Sequence, residues 1–156
     1  MKTQRPNQQH APRAKEREQK KLHVRDFMTE TVAFAEPSES VRDVAKRLSQ
    51  FDVGALPVCE DGRLVGMITD RDLVVRVLAE DRSVSTAISD FMSADVISAH
   101  DSDDVGTVVR HMQKYEVRRI PVINDDNELI GIVALADLAN SSASAGLKAK
   151  GLQGVS

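Results

Sequence analysis

The sequence predicts an α+β protein built from two tandem copies of one unit, each running strand, helix, strand, strand, helix. Three observations predict it. Sliding the 156-residue chain along itself by 64 places "RDFMTETVAF" on "SDFMSADVIS". Both halves then carry one helical apolar stripe followed by two short β-branched runs around a polar turn. Each copy, at about 55 residues, is too small to bury much surface alone, so the pair is the expected folding unit.

The register of the repeat is well defined. At an offset of 64, Phe27 and Met28 lie on Phe91 and Met92, and Val41, Val44, Ala45 and Leu48 lie on Val105, Val108, Val109 and Met112. Leu56, Pro57 and Val58 lie on Ile120, Pro121 and Val122, and one inserted residue near "NDDNE" moves the remainder to an offset of 65. The expected organisation is a flexible basic arm (1–21), a first repeat (22–82), a second repeat (83–142) and a flexible tail (143–156).

Each unit opens with a short β-branched run, Thr31 to Phe34 or Asp95 to Ser98, that suits a strand. In the first unit Val41, Val44, Ala45 and Leu48 recur at helical spacing and form one apolar stripe, with Arg42, Asp43, Lys46 and Arg47 facing away. Ser38 or Ser40 is the expected cap. "ALPVCE" and "RLVGMIT" flank Asp61-Gly62, and "RIPVIN" and "ELIGIVA" flank Asp125 to Asn127, the pattern of two hairpins. A second helix closes each unit. The first, from Asp70 to about Glu80, holds "LVVRVLA", apolar on more of its circumference than one buried stripe requires. Leu73, Val74, Val77 and Leu78 are therefore expected to form a homodimer face.

Charge divides the chain. Residues 1–25 carry eight Lys or Arg against two Glu, which leaves the remainder at about −9 out of a net −3. The basic arm is nearly free of apolar residues and has no aromatic side chain to stack on bases, so disorder is expected and nucleic-acid binding is disfavoured. Cys59 is the lone cysteine, no signal-peptide pattern appears, and the apolar runs are far short of the roughly 20 residues that cross a bilayer. The expectation is a cytoplasmic protein with no membrane span. His10, His23, His100 and His111 lack ligand spacing, and Cys59 on an apolar strand reads as a core thiol, so no catalytic or metal set is expected.

Two places carry chemistry. Thr69 and Asp72, three apart where a strand becomes a helix, fit a capping box; they also fit a phosphate and ribose site, since a helix start offers free N–H groups and a carboxylate can take two hydroxyls. In the second copy Asp137 is kept while Ala134 replaces the Thr. Arg118 and Arg119 precede a strand, either as a solvated end or as a planar, paired donor for phosphate. Ala55, Leu56 and Pro57 could wall a flat base.

The repeated "DFM", the strand starts "GALPV" and "RRIPV", and "GMITDRDL" together resemble a pair of CBS domains, the family named after cystathionine beta-synthase, over about residues 22–140. The resemblance implies two repeats packed about a pseudo-two-fold axis, with clefts for AMP, ADP, ATP or S-adenosylmethionine as a regulatory ligand and no required cofactor. It implies one cleft in which Thr69, Asp70 and Asp72 meet Val96, Val117, Arg118, Arg119, Ile120 and Pro121. A second would join Asp137 to Thr31, Val32, Gly54, Ala55, Leu56 and Pro57, with weaker hold on phosphate at Ala134. The function implied is a stand-alone, non-enzymatic sensor that signals to a separate effector. The alternative is a structural or stress-related dimer with empty or non-adenosyl clefts, acting through protein or nucleic-acid contacts.

Overall fold

A computed structural model describes residues 21–141. The tail at 143–156 and, except for Lys21, the basic arm lie outside the described residues. The first unit comprises α1 (Val41–Phe51), β1 (Ala55–Glu60), β2 (Arg63–Thr69) and a single α-turn, α2 (Asp70–Asp72), that runs on into π-type turns over Leu73–Leu78. The second comprises β3 (Ala99–His100), α3 (Val105–Lys114), β4 (Arg119–Ile123), β5 (Leu129–Ala134) and α4 (Leu135–Ala139).

Local chemistry accounts for most of these boundaries. The hydroxyl of Ser40 accepts the Asp43 N–H at 3.2 Å and the carboxylate of Asp104 accepts that of Thr107 at 3.2 Å, so each long helix starts on a capped residue. Asp52 ends α1 in the left-handed region at φ 52°, which a short polar side chain tolerates. Asp61 and Gly62, at φ 51° and 79°, make the tight turn that joins β1 to β2 antiparallel. β4 and β5 pair the same way, with β3 parallel on the far edge of β4. Among the described residues no helix is long and apolar enough to cross a membrane.

Three expectations need correction. Thr31 to Phe34 is not a strand: its only ladder contact comes one residue later, where Ala35 bridges Val58, and in the second unit the strand begins at Ala99 rather than Asp95. The β-branched residues of these runs face a cavity instead of a neighbouring strand. Ala45 is exposed, because only the arc carrying Val41, Val44 and Leu48 meets the sheet. The second helix leaves α geometry after Asp72, with the Ala79 N–H bonding Val74 O five residues back. The wider turn sends Val77 into the core at 2% exposure and leaves Val74, Val75 and Leu78 outside.

The two units exchange their opening segments. Val24 is fully buried in the core of the second unit among Val105, Val108 and Leu138, while Ile88, 64 residues later, is fully buried in the core of the first among Val41, Val44 and Ile68. Backbone bonds repeat the exchange: Val24 N–H donates to Asp103 O at 3.0 Å and Ile88 N–H to Glu39 O at 2.9 Å. Burying Val24 and Ile88 contributes about 1.5–3 kcal/mol each, and that energy is available only when both units are present.

The repeated "DFM" extends the exchange. Thr29 N–H bonds Ile132 O at 2.8 Å and Ser93 N–H bonds Met67 O at 2.9 Å, so each lead segment lies along the other unit's hairpin. Met28 and Met92 cross the hairpins where Gly131 and Gly66 leave room. The hairpin tips also join, Leu64 N–H to Asn127 O at 3.0 Å and Leu129 N–H to Gly62 O at 3.1 Å.

Candidate functional site

Between the two hairpins lies a cavity of about 890 Å³, within the size range of small-ligand sites. Its floor is β1 and β4 with Met67 and Ile132 from their partner strands, and its rim is formed by residues 31–33 and 95–97, the runs that failed to become strands. The loops entering β1 and β4 close its ends, bringing Phe51, Asp52, Val53 and Gly54 on one side and Val117 and Arg118 on the other. The lining is mostly apolar with a few charged or hydroxyl groups, which suits a flat, partly polar ligand.

Of the residues singled out from sequence, Thr31, Val32, Gly54, Ala55, Leu56, Pro57, Thr69, Val96, Val117, Arg118, Arg119, Ile120 and Pro121 line this one cavity. The two clefts expected separately are thus continuous. Asp70, Asp72 and Asp137 do not line it. Asp70 packs beside Gly54, its N–H on Gly54 O at 2.9 Å and its carboxylate accepting the Arg71 N–H at 2.7 Å. Asp137 sits exposed in the first turn of α4, and Ala134 there makes no side-chain cap.

Thr69 and Asp72 form the capping box. Thr69 Oγ1 accepts the Asp72 N–H at 3.0 Å and Asp72 Oδ2 accepts the Thr69 N–H at 2.9 Å, with Arg76 3.8 Å from Asp72 Oδ1. The cap uses a lone pair of the Thr69 oxygen, so the hydroxyl proton stays free to be donated into the cavity. By contrast Arg118 and Arg119 make no ion pair or side-chain hydrogen bond among the described residues.

Sequence reasoning missed Ala33, Phe51, Asp52, Val53, Met67, Ser93, Asp95, Ile97 and Ile132 in the lining. The signal for Asp95 was available, since it stands 64 residues after Thr31. A second, shallower depression of about 460 Å³ shares Val32, Ala33 and Phe51 with the cavity; there Arg47 pairs with Glu39 and donates to Phe34 O. Cys59 is buried in β1, and burial pushes its thiol up to about 11, as expected of a core group. Among the described residues no group of three or more His, Cys, Asp or Glu is placed to hold a metal.

The family model of the CBS domain matches residues 24–79 and 88–144, one match on each repeat. The chain belongs to the CBS domain family. Pairs of this family are generally regulatory rather than catalytic. The CBS domain-containing protein YhcV of Bacillus subtilis is 40% identical over 116 residues, covering 74% of this chain and 82% of that protein. Hypoxic response protein 1 of Mycobacterium tuberculosis is 37% identical over 118 residues, with 74% and 82% covered. Two solved CBS structures are similar in fold. The CBS domain pair of protein MJ0100, in complex with 5′-methylthioadenosine and S-adenosyl-L-methionine, has a TM-score of 0.65 at 30% identity, covering 76% of this chain and 97% of that one. CBSX2, in complex with AMP, has a TM-score of 0.66 at 28% identity, covering 82% and 98%.

Proposed function

We propose that the chain is a regulatory module that binds an adenosine compound in the cavity between its CBS repeats and passes the resulting change in repeat packing to a separate effector. The observation that carries this reading is that one cavity of about 890 Å³ is walled by both repeats. A ligand there touches both, so its binding energy acts directly on how they pack. The adenosyl ligands held by MJ0100 and CBSX2 support the choice of ligand class.

In this reading the apolar walls at Val32, Leu56, Pro57, Val96, Ile120 and Pro121 take the base. The Thr69 hydroxyl and the free guanidinium groups of Arg118 and Arg119 take phosphate. Asp72 reaches a ribose diol by releasing the Thr69 N–H, and Asp70 and Asp137 join only if their helix starts move toward the cavity. The module works in the cytoplasm as a homodimer.

A thermal-shift series with AMP, ATP, 5′-methylthioadenosine and S-adenosylmethionine tests the reading. A ligand present at about 100 times its Kd stabilises the folded form by about 2.7 kcal/mol and raises Tm by several degrees. If none of the four moves Tm, the protein is instead a structural dimer acting through other contacts.

A further inference from the structure

The cavity carries opposite charges that no side chain among the described residues engages. Arg118, Arg119, Asp52 and Asp95 all line it, and none makes an ion pair or side-chain hydrogen bond among the described residues. The carboxylates closest in sequence to the phosphate-suited Thr69 are committed elsewhere, Asp72 to the cap and Asp70 to the Arg71 N–H. The free charge inside is therefore two positive and two negative groups.

We infer that, within the adenosine reading on which this rests, the cavity is matched to a nucleoside monophosphate and that Asp52 and Asp95 are specificity-determining residues that reject polyphosphates. A monophosphate brings close to two negative charges, which Arg118 and Arg119 neutralise while the two carboxylates stay solvated at the rim. Each further phosphate adds a negative charge with no cation left for it, in a space that also holds two carboxylates. The two halves of the cavity make the effect directional. Asp95 occupies the place that Thr31 holds in the first repeat, and Arg118 and Arg119 the places of Gly54 and Ala55, so three of the four charges come from the second repeat and Asp52 alone from the first.

The test is titration calorimetry with adenosine, AMP and ATP in buffer free of divalent cations, on the parent chain, on Asp52→Asn with Asp95→Asn, and on Arg118→Gln with Arg119→Gln. Asn tolerates the left-handed backbone at Asp52, and the other positions are exposed or half-buried, so the variants are expected to fold. The parent is expected to bind AMP about tenfold or more tighter than ATP. The Asn pair should narrow that ratio to about threefold or less, mainly by gaining ATP affinity, and the Gln pair should bring AMP down to the level of adenosine. If ATP binds the parent as tightly as AMP, or the Asn pair leaves the ratio unchanged, the inference is overturned while the adenosine reading stands. If neither adenosine nor either nucleotide binds, the proposed function falls and takes the inference with it.

Discussion

Thr69 and Asp72 close on each other, the hydroxyl oxygen 3.0 Å from the Asp72 nitrogen and the carboxylate oxygen 2.9 Å from the Thr69 nitrogen. The pair thus starts the second helix, and of the two Thr69 also lines the cavity. In the proposed function the structural and ligand roles are coupled: a ligand hydroxyl that takes the Asp72 carboxylate must compete with a backbone N–H that already has it.

Substitution separates the roles. Asp72→Ala is expected to cost about 1 kcal/mol of stability through the lost cap and, in addition, about tenfold in affinity for adenosine compounds. Asp137→Ala should leave both nearly unchanged, since Asp137 neither caps nor lines the cavity. Melting curves and calorimetry on the two variants check this, and equal losses of affinity from both would contradict the single dominant site.

The close crossing of the lead segments makes the two hairpin glycines unequal. A methyl at Gly66 would lie 2.8 Å from the Ser93 carbonyl oxygen, which is backbone; at Gly131 the nearest atom, at 2.6 Å, is the Met28 sulfur, which can swing away. Gly66→Ala is therefore expected to destabilise by about 1–3 kcal/mol and Gly131→Ala by less. Adding Met28→Ala should relieve the clash at Gly131, whereas Met92→Ala should do little for Gly66→Ala. Denaturant melts of the four variants give the comparison.

How far the sequence was legible follows from what each signal depends on. The hairpins were readable almost to the residue because short β-branched runs around a polar turn are a local signal. The repeated "DFM" was visible, but its purpose was not: nothing within twenty residues of Met28 tells that it lands on Gly131. Thr31 to Phe34 misled because a β-branched run has the same composition whether it pairs with a strand or rims a cavity. The π-type turns were hidden by a segment apolar on most of its circumference, which gives little period to violate. Asp95 was not legible locally because it stands in a run that reads as a strand start, where a lone carboxylate gives no sign that it borders a cavity.

Cys59 supplies a pH test. Burial raises its thiol to about 11 from an ordinary value near 9, so the folded state holds a proton that the unfolded chain releases between those limits. Its contribution is fully present below the unfolded value and is lost as pH rises through the folded one. Stability is expected to fall by up to about 2–3 kcal/mol between pH 9 and 11 from this group. Cys59→Ala should lower stability near neutral pH by leaving a small void, yet flatten the alkaline decline. Urea melts at pH 7.5, 9 and 10.5 decide, and an equally steep decline in the variant would assign it to other groups.

The helix that follows Asp72 gives the last prediction, because its wide turns divide one apolar run into two faces. Val77 is 2% exposed and packs in the core of the first unit, whereas Val74, Val75 and Leu78 are 55%, 48% and 71% exposed and adjacent on the outside. By spacing alone Val77 belongs to the expected dimer face with Leu73, Val74 and Leu78; the π-type turn removes it. If the outer residues form the homodimer interface, Val74→Glu and Leu78→Glu should halve the mass measured by light scattering at micromolar concentration. Each chain's CD spectrum should stay the same, because an unpaired charge opposes burial between protomers but is harmless in water. Val77→Glu should act differently, costing several kcal/mol and unfolding the domain whatever its concentration. A parent protein that is monomeric under the same conditions, or a Leu78→Glu variant that keeps the parent's dimeric mass, would show that this face serves something other than a second copy.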